Sequence, residues 1–137
     1  NVSLIGKHSD KLNLIKRFGV RTMLLSDWQP KQFDVVVDAT GSASGLQLAM
    51  SAIRPRGTLV LKTTIAGEHK VSLAPVVINE ITTVGSRCGP FAPALDALQQ
   101  RSVSVTPLIE KIYPLSEGIQ AVVHADKPGA HKILLQP

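Results

Sequence analysis

Few residues of this 137-residue chain have the type and spacing that bond-making chemistry requires. The four histidines (His8, His69, His124 and His131) and the single cysteine, Cys88, lie far apart, without the short intervals of a metal-ligand set. H-E-x-x-H, C-x-x-C and G-x-S-x-G are all absent. Structural or surface roles are therefore expected for these residues. What remains is binding chemistry. The stretch DVVVDATG (34–41) sets three valines between aspartates and then turns at Ala39-Thr40-Gly41. It reads as a fully buried parallel strand with a loop at its carboxyl end, and open α/β sheets bind ligands at such ends. A glycine-rich phosphate loop should accompany it. Neither G-x-G-x-x-G nor G-x-x-x-x-G-K-[ST] occurs, and GSASG (41–45) is only a loop-to-helix turn with two glycines.

The elements that must position this loop follow from periodicity. NVSLI (1–5) reads as a strand ending at Gly6. Ser9 is expected to cap a helix over 10–18, and Gly19 supplies its left-handed stop. RTMLL (21–25) is a short strand, followed by a polar connection and then DVVVDATG. Leu46, Met50 and Ile53 recur at helical spacing, which predicts a helix over about 43–54 with Arg54 and Arg56 near its carboxyl end and Gly57 ending it. TLVLKTTI (58–65) is the next buried strand. Residues 70–80 are ambiguous between a strand or turn and a short helix. A strand over 81–89, a helix over 90–101 opening on prolines, an extended segment over 105–115, a capped helix over 116–125 and a last strand over 131–136 complete the pass. Strands rich in valine alternating with helices predict an α/β fold, Rossmann-like, with a mostly parallel sheet and helices on both faces.

Bulk properties narrow the partners. The hydrophobic fraction of 44% is that of a folded chain, and no apolar run reaches the length of a membrane span. The net charge of +5 is scattered, with no basic run, and aromatics are only 4%. A solvated, mildly basic surface is expected, with neither a nucleic-acid nor a membrane partner. One cysteine fits a reducing, cytoplasmic compartment. The chain starts at Asn1 inside a strand-like stretch, so it is expected to be a piece of something longer.

The order of segments resembles the carboxyl-terminal part of the medium-chain dehydrogenase/reductase superfamily, specifically the zinc-type alcohol and threonine dehydrogenase relatives. The matching stretches are DVVVDATGS, IRPRGTLVL, ITTVGSRCGPF, VTPLIEKIYPLSEGIQAV and PGAHKILLQP, in the family's order and spacing and over nearly the whole chain. The resemblance implies a partial dinucleotide-binding domain over 1–104 and a carboxyl-terminal segment, 105–137, packing on it. It also implies cofactor contacts. The loop after the family's second strand reads the adenosine ribose, where an acidic residue would select NAD. Here that position matches Gly6, followed by Lys7 and His8, so NADP is implied in preference to NAD. Lys11 matches a basic residue reaching the same ribose. The plain alternative for GKHSDK (6–11) is a basic turn feeding a helix. Ala39, Thr40 and Gly41 match the loop under the nicotinamide half, and Thr63 and Thr64 match the next loop, whose backbone groups bond the nicotinamide amide. Ser86 and Arg87 match positions near that amide. Lys132 matches a basic residue reaching the pyrophosphate, or else it is a solvent-facing strand residue.

The family's zinc ligands and substrate pocket lie in an amino-terminal domain that this sequence does not contain. No residue here is therefore assigned to catalysis or metal binding, and zinc is expected only in that other domain. The first strand of the family's sheet and its glycine loop are missing too. The strands that would flank it must pair with an upstream segment, with each other, or with a swapped partner. ITTVGSR (81–87) matches the strand through which the family pairs about a two-fold axis, which implies a homodimer. Three readings stay open: the cofactor portion of an NAD(P)-dependent alcohol dehydrogenase, a non-catalytic dimerising remnant, and a zinc-free quinone or enoyl reductase.

Overall fold

The computed structural model of the chain describes residues 1–65 and 70–137. His69 lies outside the described residues. Two compact units are formed, one from Asn1–Trp28 with Ala92–Pro137 and the other from Gln29–Phe91. Among the described residues, the strands pair in parallel, as the valine-rich runs predict, and form three sheets.

In the first unit, β1 (Ser3–Gly6) pairs in parallel with β2 (Arg21–Leu24), joined by α1 (Ser9–Lys16). Leu12 of α1 is buried, 5% exposed, and it packs over Gly6. The helix stops before Gly19, whose φ of +77° is the expected left-handed conformation. Ser9 does not cap α1. His8 is the extended N-cap residue, without a side-chain bond, and the Ser9 hydroxyl instead donates to Asp10 at 3.3 Å.

The second unit holds the three-stranded ladder β3 (Phe33–Asp38), β4 (Ile53–Leu61) and β5 (Thr82–Gly85), in that order. Helix α2 (Ala43–Ala52) links β3 to β4, and α3 (Ala74–Ile78) precedes β5. Ala49, Ile53, Leu59 and Ile81 form the core, flanked by Val36, Leu46, Met50, Leu61 and Val76. The pleat divides DVVVD between two faces. Val36 packs on the core and Asp38 is buried, whereas Val35 and Val37 are exposed. The expectation of a fully buried strand is corrected accordingly.

The helix expected to reach residue 54 ends at Ala52. Arg54 lies in β4, where it meets Asp34 of β3 at 2.6 Å rather than a helix end. Nor does Gly57 end the helix. It sits buried within β4, and a Cβ there would lie 2.9 Å from the carbonyl oxygens of Asp34 and Arg54. The turn is made one residue earlier, at Arg56, with φ +62° and its N–H bonded to the Asn79 carbonyl at 2.8 Å.

Helix α4 (Phe91–Gln99) follows β5. The first unit closes with β6 (Ile109–Pro114), α5 (Gly118–Ala125) and β7 (Lys132–Gln136), with β6 and β7 paired in parallel. Gly118 begins α5 rather than interrupting it, and no side chain caps its start. Among the described residues, no helix is long and apolar enough to cross a membrane.

Candidate functional site

In the second unit, the loops leaving β3, β4 and β5 meet at the carboxyl ends of the strands. Asp38 closes β3, and its buried Oδ1 accepts the Thr40 N–H at 3.0 Å and the Thr40 hydroxyl at 2.8 Å. The Asp38 carbonyl accepts the backbone N–H groups of Lys62 and Thr63 at 2.9 and 3.1 Å. The Thr63 Oγ1 accepts the Gly41 N–H at 3.1 Å, so the second loop holds the first. Gly41 has φ +69°, and a Cβ built there would meet nothing within 4 Å. The backbone at this turn therefore faces open space, the condition for close approach of a ligand.

Two small residues allow this geometry. Ser42 is the N-cap of α2 and accepts the Gly45 N–H at 3.2 Å. Gly45 lies directly behind Thr40, and a Cβ there would fall 1.8 Å from the Thr40 hydroxyl oxygen. GSASG is thus more than a turn. It is the floor that lets Thr40 sit over the first turn of α2.

The third loop is tied in by Lys62. Its ammonium donates to the carbonyls of Arg87 at 3.1 Å and Ser86 at 3.4 Å, with the Ser86 Oγ at 3.5 Å. The Ser86 N–H donates to the Leu61 carbonyl at 2.9 Å. Ala39, Thr40, Gly41, Thr63, Ser86 and Arg87 are thus brought to one end of one ladder. Thr64 is exposed on the same loop as Thr63.

In the first unit, Gly6 ends β1, and Lys7 and His8 are exposed between β1 and α1. Lys11 does not extend freely. Its ammonium donates to the Ala130 carbonyl at 3.2 Å, two residues before Lys132. Lys132 is exposed at the first position of β7. The turn before β7 is held from the other side by Glu110, whose Oε2 accepts the His131 N–H at 2.7 Å. That bond, foremost, with the His124 ring assisting and partial burial opposing, holds the Glu110 carboxyl below its ordinary range. Asp34 is likewise lowered, by its hydrogen bond and ion pair with Arg54.

Sequence reasoning did not single out Asp38, Gly45, Lys62 or Glu110 for the site. Asp38 carried a readable signal, a carboxylate two residues before a loop threonine, which suits a local side-chain turn. Gly45 was legible only as a glycine of a turn. The other two act across distant segments and leave no local mark. Among the described residues, no three His, Cys, Asp or Glu side chains converge on a possible metal position. The described residues do not fit a zinc ion, and no zinc-dependent step is assigned to them. They do fit a dinucleotide, which needs exposed backbone groups at strand ends and a few cations.

Comparison with known proteins agrees with that architecture. Residues 1–100 match the profile of the zinc-binding dehydrogenase family. The chain therefore belongs to the zinc-binding dehydrogenases. It is 29% identical over 105 residues to sorbitol dehydrogenase of Homo sapiens, an alignment covering 75% of this chain and 29% of that protein. A zinc-binding dehydrogenase from Sinorhizobium meliloti, solved bound to NADP, superposes with a TM-score of 0.85 at 19% identity, over 100% of this chain and 45% of the other. An alcohol dehydrogenase from E. coli, solved with NADH, gives 0.84 at 18% identity, over 100% and 44%. At these identities the two structures establish the fold alone, a Rossmann-like one. The chain spans about a third or less of the length of the curated relatives it matches.

Proposed function

We propose that this chain is the cofactor-binding portion of a zinc-type, alcohol dehydrogenase-like oxidoreductase that prefers NADP. The observation that carries the reading is the joining of the loops after β3, β4 and β5 through Asp38, Gly41, Thr63, Lys62 and Ser86. The loop Ala39–Gly41 supports the nicotinamide half of the cofactor, and Thr63, Thr64, Ser86 and Arg87 serve its amide. Gly6, Lys7, His8 and Lys11 read the adenosine ribose. With no carboxylate at Gly6, a 2′-phosphate meets no repulsion there, and Lys7 supplies the opposite charge. Lys132 serves the pyrophosphate. The bound nicotinamide would supply the hydride chemistry, and these residues position it.

The proposal extends to the organisation of the whole protein. Residues 1–104 act as the cofactor domain and 105–137 as a segment packing on it, with zinc held by a further domain. The protein is cytoplasmic, in keeping with a free, exposed Cys88. It is a homodimer through residues 81–87. Thr82–Gly85 are exposed, and the edge of β5 opposite β4 has no ladder partner among the described residues. Sedimentation of the whole protein tests the dimer, and a monomer at high concentration contradicts it.

The test of the activity is turnover. The whole protein should oxidise an alcohol with NADP⁺, and NAD⁺ should serve less well. Tight binding of either nucleotide without turnover of any alcohol or carbonyl would favour the non-catalytic remnant.

A further inference from the structure

A second group of polar side chains lies in the first unit. Tyr113 of β6 is 7% exposed, and its hydroxyl is 2.9 Å from Nδ1 of His124 in α5. The rings meet edge to face, with centroids 5.9 Å apart at 87°. Nε2 of His124 lies 3.1 Å from Oε1 of Glu110, and Oε2 of Glu110 accepts the His131 N–H. Both ring nitrogens are thus engaged, which fixes the ring plane. The Ala130 carbonyl, one residue before that N–H, accepts the Lys11 ammonium. A chain of contacts therefore runs from a buried tyrosine through His124 and Glu110 to the turn before β7, and from that turn to Lys11.

We propose that Glu110 and His124 are positioning residues for the cofactor's phosphates. They act by fixing the Gly129–His131 turn, which anchors Lys11 and launches Lys132. The proposal rests on the cofactor reading above, because Lys11 and Lys132 matter only if they face a nucleotide. Its physical basis is the length of the two lysine side chains. A lysine reaches a phosphate as a mobile point charge, so its strength as a ligand depends on how far its mobility is already restricted. Glu110 is suited to this work because its two oxygens serve different masters, one the helix and one the turn. A site whose outer supports are loosened keeps its groups and loses their placement.

The lowered carboxyl of Glu110 agrees with its holding the turn as an anion. The side-chain bonds of Glu110 and His124 run to Tyr113, to each other and to His131, all within the first unit. Their removal should leave the chemistry of the nicotinamide untouched and act on nucleotide affinity.

The experiment is a double-mutant cycle on the whole protein with NADPH as probe, beside amide hydrogen exchange. Glu110→Ala should speed exchange of the His131 amide and weaken NADPH binding by about tenfold, the effect of one charge-assisted hydrogen bond. Lys11→Met should weaken binding alone. The double variant should be weaker than wild type by less than the product of the two effects, because Glu110 acts through the turn that holds Lys11. Glu110→Gln, which keeps an acceptor oxygen, should recover part of the loss and provides the readout if the alanine variant is poorly folded. Raised KM for NADP⁺ with unchanged kcat is expected throughout.

Faster exchange at His131 with unchanged NADPH affinity overturns the inference and leaves the cofactor reading standing. Multiplicative effects in the cycle overturn it in the same way. If the wild-type protein binds neither NADPH nor NADH, the cofactor reading fails first and the inference falls with it.

Discussion

The backbone N–H of Gly41 donates to the hydroxyl oxygen of Thr63 at 3.1 Å, and the same hydroxyl faces the Asp38 carbonyl at 3.3 Å. One threonine side chain therefore ties the loop after β4 to the end of β3 and to the turn that follows it. Thr63→Val keeps the shape and removes both bonds. The expected cost is about 0.5–1.5 kcal/mol of stability, with weaker cofactor binding, and Thr63→Ser should restore most of each. Denaturant unfolding and NADPH titration of the three proteins check this, and equal affinity in the valine variant contradicts it.

Gly45 has no room for a side chain, since a Cβ would sit 1.8 Å from the Thr40 hydroxyl oxygen. Gly45→Ala should displace Thr40 from Asp38 and destabilise the protein by about 1–3 kcal/mol, although alanine is the better helix former. A variant with unchanged thermal midpoint would show that the packing at Thr40 is not what requires glycine.

The acid limb of stability should depend on Asp34 and Glu110. Their ordinary values are 3.8 and 4.5, and both are lowered in the fold, by Arg54 and by the His131 N–H respectively. A carboxyl lowered on folding contributes stability that is complete above its unfolded value and is lost as the pH falls through its folded value. The expected loss therefore lies below about pH 4.5. Unfolding followed from pH 6 to pH 2 should show a shallower acid decline for Asp34→Asn and Glu110→Gln than for wild type. Identical slopes would mean that these contacts do not persist in solution.

Cofactor choice should follow the end of β1. On the proposed cofactor reading, Gly6→Asp places a carboxylate where the ribose hydroxyls would be read and a 2′-phosphate would be repelled. The new Cβ lies 3.1 Å from Cδ2 of Leu12, a side-chain end that can give by a few tenths of an ångström. The NADH-to-NADPH affinity ratio should rise by about tenfold or more, the scale of one decisive charge contact. An unchanged ratio would place the ribose elsewhere.

Much of this architecture is legible in the sequence because the strands declare themselves. VVV at 35–37 and TLVL at 58–61 are strongly β-forming, and the intervening apolar spacing is helical. Boundaries were less legible where long-range bonds decide them. Nothing local shows that Arg56 will turn with positive φ, because its N–H is held by Asn79 of another segment. The strand-end loop Ala39–Gly41 was visible as a place through its position after a valine run. The ties that shape it were not. Thr63 to Gly41 spans 22 residues and Lys11 to Ala130 spans 119, and separations of that size have no signature in local pattern. The burial of Asp38 was hidden for another reason: a charged residue at the end of a strand ordinarily marks solvent, yet here it is 2% exposed and bonded to the loop threonine whose spacing was readable.

The proposed function gives these strand-end loops the nicotinamide half of a dinucleotide and gives the turn after β1 its adenosine ribose. The most direct measurement is a titration of the whole protein with NADPH and with NADH, read by the fluorescence of the reduced nicotinamide. Wild type should saturate with both and bind NADPH more tightly, Lys7→Ala should lose that margin, and Thr63→Val should weaken both nucleotides alike. Absence of saturable binding by either nucleotide, in a protein shown to be folded, would contradict the account.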